Sequence, residues 1–160
     1  MRDAGPTRRA VLGTVAVATI AVTVAGCDSD DKGSDQGRNK ADDAARKGAY
    51  AATAVLLARY DAVAAKHAPL AARITPLSAE LREHLALFAG TAKSPTPAPA
   101  PPVQVPEEAA AASSAAADWA QQGSDERLTA LAAVSPELAR RFASTSACLA
   151  GHAQLLRSTS

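Results

Sequence analysis

Apolar side chains recur along most of this chain in steps of three and four. Leu70, Ile74, Leu77, Leu81, His84 and Phe88 step by 4, 3, 4, 3 and 4, the spacing of one buried helix face. Leu138, Phe142, Thr145, Leu149, His152 and Leu156 repeat the same steps. Tyr50, Leu57, Tyr60 and Ala64 put another helix over 41–67, with Arg46, Arg59 and Lys66 free to face water. Trp119, Leu128 and Leu131 mark a fourth over 107–134, with Glu107 and Glu108 at the end a helix dipole favours for acids. Gly123 followed by Ser124 leaves that helix open to interruption. Pro69 ends the first helix and suits the first turn of the next. Pro76 predicts a kink or a late start, and Gly90 an end. Ser135-Pro136-Glu137 is a cap, a proline and an acid, and starts the last helix.

Two segments lack this pattern. Residues 28–37 contain no apolar side chain and cannot offset their ordering entropy by burial. Positions 27–40 therefore read as a flexible tether. Residues 94–106 carry a proline at nearly every second position and read as a polyproline II strap. A proline-rich docking ligand is the alternative there.

The two stripes belong to a longer match. Residues 59–88 slide onto 127–156 with an offset of 68, no gap and 12 identities in 30 positions. Arg59 meets Arg127, Leu81 meets Leu149 and His84 meets His152. The chain thus reads as two related helical hairpins, 41–90 and 107–157, joined by a Pro-rich crossover at 91–106. A helix of about 22 residues is about 33 Å long, and the strap spans about 40 Å in polyproline II. It can run the full length of a bundle. The expected fold is all-α, a four-helix bundle with one long crossover.

Composition narrows the classes of function. About a quarter of the 160 residues are alanine, a strong helix former and a poor strand former. The net charge is +1, which gives no field for nucleic acid. Two cysteines make no disulfide scaffold. No Ser-His-Asp order, glycine-rich phosphate loop or Cys-x-x-Cys is visible, so an ordinary hydrolase, nucleotide enzyme or redox enzyme has no support.

The first 26 residues read as a signal peptide. Arg2, Arg8 and Arg9 form its positive region, Ala10–Ala25 is uncharged, and Val24-Ala25-Gly26-Cys27 follows. This order resembles the lipobox of bacterial lipoproteins. The resemblance implies that Cys27 receives a diacylglycerol and becomes residue one after cleavage. The alternative is a free thiol behind an ordinary cleaved signal. Thr7-Arg8-Arg9-Ala10-Val11-Leu12 resembles a twin-arginine export signal, departing from it at Val11, where that family prefers Phe. Arg8 and Arg9 serve equally in an ordinary secretory signal. Loss of 1–26 removes three arginines and Asp3, turning +1 into −1, so the two lipid chains carry the anchorage. The expected location is the outer face of the cell membrane, with the bilayer as a partner through Cys27.

Leu57-Ala58-Arg59-Tyr60-Asp61-Ala62, Leu70-Ala71-Ala72-Arg73-Ile74, Leu138-Ala139-Arg140-Arg141-Phe142 and the histidines at 84 and 152 resemble the ferritin-like domains of small secreted lipoproteins from high-G+C Gram-positive bacteria. The resemblance covers about 41–157 and implies a fold more than an activity. Ferritin-like oxidases place Glu-x-x-His on two helices and a carboxylate on each of the others. Here Leu81 and Leu149 stand where those glutamates belong, and Thr129 is the partner of Asp61. A di-iron oxidase is not expected, and neither is any other enzyme or cofactor beyond the lipid on Cys27. His84 and His152 remain as a pair able to face one another across the repeat and bind one soft or borderline metal, with Cys148 as a third donor. The alternative is two bundle histidines satisfied by hydrogen bonds. His67 is expected in solvent at a turn, and Cys148 as a small buried apolar residue, with a reactive thiol as the alternative. Three classes of function stay open: a non-enzymatic domain binding an envelope protein or component, a metal or small-ligand binder, and a structural lipoprotein.

Overall fold

A computed structural model describes residues 32–89 and 102–158. Four helices form a bundle: α1 (Lys32–Lys66), α2 (Ala68–Ala89), α3 (Ala109–Ala130) and α4 (Pro136–Arg157), with a short 3₁₀ turn at Leu131–Ala133 after α3. Only His67 separates α1 from α2, so these two pack back to back as a hairpin, as do α3 and α4. No strand occurs among the described residues, and none of their helices is long and apolar enough to cross a membrane.

Contacts along the helices fix their directions. Arg59 of α1 lies over the Trp119 ring of α3, and Thr53 accepts from Arg127, so α1 and α3 run antiparallel. Arg73 donates to the Leu155 carbonyl at 2.5 Å, and Phe88 packs edge-on against Phe142 at 5.6 Å, so α2 and α4 are antiparallel too. The end of α1 is tied to the approach to α3. There Lys66 Nζ reaches the Val105 carbonyl at 2.9 Å and Glu107 at 2.7 Å. Ala89 therefore stands at one end of the bundle and Ala109 at the other, and the chain between them joins opposite ends.

The main core holds Leu56, Tyr60, Val63, Ile74, Leu81, Leu149 and Leu156, closed on the α3 side by Ala112, Ala116, Ala117 and Ala120. Alanine has no bulk beyond Cβ, so α3 lies close to its neighbours. A smaller cluster of Phe88, Leu138 and Phe142 fills the end where α4 begins. That start follows its sequence: Ser135 accepts from the Leu138 amide and Pro136 takes the first turn. Asp42 of α1 accepts from the Ser135 amide at 2.8 Å.

Several expectations need correction. Helix α1 begins at Lys32, so residues 32–40 are helix and not tether. Propagating an existing helix adds one hydrogen bond per residue fixed and needs no burial. The buried face of α1 is Thr53, Leu56, Tyr60 and Val63, whereas Tyr50, Leu57 and Ala64 lie at its flanks. With so few bulky residues, the stripe could be drawn one position off. Helix α2 starts at Ala68 and runs through Pro76, so the proline does not delay its start. Pro76 has no N–H for the Ala72 carbonyl, and both residues are exposed, on the face where a lost helix hydrogen bond costs least. Gly123 does not interrupt α3. A Cβ there would stand 3.0 Å from Leu149 Cδ1, so this glycine permits close approach of α3 and α4. His67 is buried, and its Nε2 donates to the Pro106 carbonyl at 2.9 Å.

Candidate functional site

Midway along the bundle, α2 and α4 bring three donor side chains together. Glu80 is an outward residue of α2, next to fully buried Leu81. Cys148 and His152 are one turn apart on α4 and so share a face. Cys148 Sγ donates to Glu80 Oε2 at 3.0 Å. His152 Nε2 donates to the same oxygen at 2.9 Å, and Sγ and Nε2 lie 3.6 Å apart. His152 is 2% exposed, while half of the Glu80 side chain meets solvent. The group is therefore walled by protein on one side and open on the other.

Polar groups from all four helices surround it. Tyr60 of α1 is fully buried and stacks, tilted, 6.0 Å from the His152 ring. Its hydroxyl has no hydrogen-bond partner, and neither do His84 Nδ1, His152 Nδ1 and Arg127 Nε. Arg127 of α3 is 5% exposed. It donates to Thr53 Oγ1 at 2.7 Å and to the Gly123 carbonyl at 3.0 Å and sits over the Phe88 ring. None of these partners is a carboxylate. Below the group, Ser146 donates to the Ser124 carbonyl at 3.0 Å. Its hydroxyl proton is thereby committed, so Ser124 is the donor in the 2.8 Å contact between the two hydroxyls.

Burial and these contacts set the charge states. Burial, then the hydrogen bond to Glu80, pushes the Cys148 thiol up to about 12, so alone it stays protonated and is a poor nucleophile at neutral pH. Hydrogen bonds from Cys148 and His152 hold Glu80 below the usual carboxylate range. Burial, followed by the charge of Arg127, lowers His84 to about 4 and keeps it neutral. Burial also raises the Tyr60 phenol.

The structure joins Cys148 and His152 but leaves His84 outside the group of three donors. Of the candidate ligands His84, Cys148 and His152, only the last two belong to this group. Glu80 is the third donor of the group. The offset of 68 that pairs the histidines also pairs Glu80 with Cys148, each four residues before its histidine. That is the sequence signal for Glu80. Nothing comparable marks Arg127 or Tyr60 beyond their place on the helices. Asp61, considered as an iron-site carboxylate, is half exposed and engages Ser78 and Arg82 instead. Cys27, Arg8 and Arg9 lie outside the described residues.

An imidazole, a thiol and one carboxylate suit a single ion of borderline softness. They do not supply the several carboxylates of a di-iron centre. No known protein family, curated protein or solved structure matches this chain.

Proposed function

We propose that this chain is a lipoprotein of the cell envelope, exported through a signal containing Arg8 and Arg9 and anchored to the outer face of the membrane by a lipid on Cys27. Its helical domain is a ferritin-like bundle of two repeated hairpins that acts as a non-enzymatic binding protein. The observation that carries the binding role is the group of Glu80, Cys148 and His152 at the edge of the core, with three ligand-type atoms within 3.6 Å of one another. Antiparallel α1/α3 and α2/α4 pairs joined by a long crossover support the ferritin-like reading. The run Val24-Ala25-Gly26-Cys27 behind an uncharged stretch supports the anchor.

Cys27→Ala tests the anchor. The variant should lack the lipid mass and leave the membrane fraction, or persist as an uncleaved precursor. Unchanged mass together with unchanged fractionation would overturn it.

A further inference from the structure

We propose that Glu80, Cys148 and His152 are the protein ligands of one divalent metal ion of borderline character, zinc or a close neighbour, held between α2 and α4. This rests on the reading of the domain as a binding protein and names its ligand.

The distances support it. Tetrahedral zinc has bonds of about 2.3 Å to sulfur and about 2.0–2.1 Å to nitrogen or oxygen, which sets its ligand atoms roughly 3.3–3.6 Å apart. Cys148 Sγ and His152 Nε2, fixed one turn apart on a rigid helix, already stand at 3.6 Å. Glu80 Oε2 is nearer, at 3.0 Å from sulfur and 2.9 Å from nitrogen, because both donate to it. An ion replaces those two hydrogen bonds with coordination. The carboxylate then has to withdraw by roughly half an ångström, and Glu80 has a flexible, half-exposed side chain with room to do so.

The chemistry supports it as well. Coordination turns the thiol into a thiolate and releases its proton to solvent. On His152 the remaining proton moves to Nδ1, with no change in count. The dication is then balanced by one thiolate and one carboxylate, so the site is neutral and tolerable at the edge of a core. Sulfur and imidazole favour zinc-like ions over magnesium or calcium. The half-exposed Glu80 and partly exposed Cys148 give the ion a path from solvent that leaves the bundle closed. The fourth position falls to water, and Tyr60, packed on His152, carries a buried hydroxyl that lacks a partner.

The test uses the full-length protein in detergent, stripped of metal with a chelator and titrated with Co²⁺ as a spectroscopic stand-in. One Co²⁺ per chain should bind, with a thiolate-to-cobalt charge-transfer band in the near ultraviolet and tetrahedral bands in the visible. Cys148→Ser should abolish the charge-transfer band. Glu80→Gln, at an exposed position safe for folding, should weaken binding by at least about tenfold. His84→Ala and Cys27→Ser should leave the band in place. Absence of the band from the unaltered protein would overturn the proposal. So would a band that depends on Cys27 or His84, or an unchanged affinity in Glu80→Gln. The last outcome decides even if Cys148→Ser fails to fold. Fractionation of the same preparations separates this site from the anchor. A lipidated, membrane-bound protein without the band removes the ion and leaves the lipoprotein. A soluble, unlipidated protein with the band removes the anchor and leaves the ion.

Discussion

Glu80 on α2 and Cys148 on α4 meet at 3.0 Å, and they stand 68 positions apart, the same offset at which the two halves of the sequence match. On antiparallel helices related by a twofold, equivalent residues come together only near the axis. The contact is therefore what the proposed repeat requires at its centre. The halves differ in chemistry there, a carboxylate in one and a thiol in the other. An asymmetric pair at a symmetric position is a natural place for a ligand to sit.

The next equivalent pair, Leu81 and Leu149, is fully buried on both sides. Leu81→Ala and Leu149→Ala should each cost about 2–5 kcal/mol, by the lost transfer energy and the cavity left behind. Under the repeat the two losses should be similar. Chemical denaturation of each variant measures them, and a loss at one site with none at the other would argue against equivalent layers.

Two glycines in helices have opposite surroundings. Gly151 has nothing within 4 Å of an added Cβ, whereas at Gly123 that atom would meet Leu149 Cδ1 at 3.0 Å and Arg127 Nη1 at 3.3 Å. Gly151→Ala should stabilise the fold by roughly 0.5–1 kcal/mol through helix propensity alone. Gly123→Ala should forfeit that gain or reverse it, because Leu149 is fully buried and has little room to shift. Thermal melts of the two variants decide, and equal gains would show that α3 and α4 can separate freely.

The sequence displayed α2 and α4 plainly, since each has six stripe positions and all but His84 are buried. Helix α1 was harder to read. Its buried positions include Thr53, which a hydrophobic pattern passes over, and alanines on both sides blur its register. Its polar first turns offered no apolar signal at all. For the site, Cys148 and His152 were legible as neighbours on one helix face. Glu80 was legible only through the offset of 68 that pairs it with Cys148, because spacing within α2 ties it to His84 alone and its contact comes from the packing of α2 on α4. Arg127 sits buried where its counterpart Arg59 lies half-buried over Trp119, a difference set by which helix faces the centre.

Export offers a separate test. If Arg8 and Arg9 act as a twin-arginine pair, Arg8→Lys with Arg9→Lys should sharply lower the amount of protein at the cell surface although the positive charge is unchanged. An ordinary secretory signal needs the charge alone. Surface levels equal to those of the unaltered protein would assign export to that route.

His84 should make stability depend on pH. It is partly buried and lies within the electrostatic reach of Arg127 of α3, His152 of α4 and Glu80 of its own helix. Burial first, then the charge of Arg127, lower it from 6.5 to about 4, against a smaller opposing pull from Glu80. In the unfolded chain the same imidazole titrates near its ordinary value. Between those limits the unfolded state binds the extra proton and the folded state does not, so stability rises with pH across this window. Acidification from about 6.5 towards about 4 should therefore lower the Tm. Below that range the folded state also takes up the proton, and this contribution levels off. Carboxylates held below their usual range, such as Asp42, add their own loss at the acid end of this window and below it, where the unfolded chain takes up protons that the folded carboxylates do not. His84→Gln removes the titrating group and keeps a polar side chain of similar reach, so Tm against pH should flatten between 4 and 6.5. A slope identical to that of the unaltered protein would mean that His84 is solvated in the folded state and carries no proton linkage.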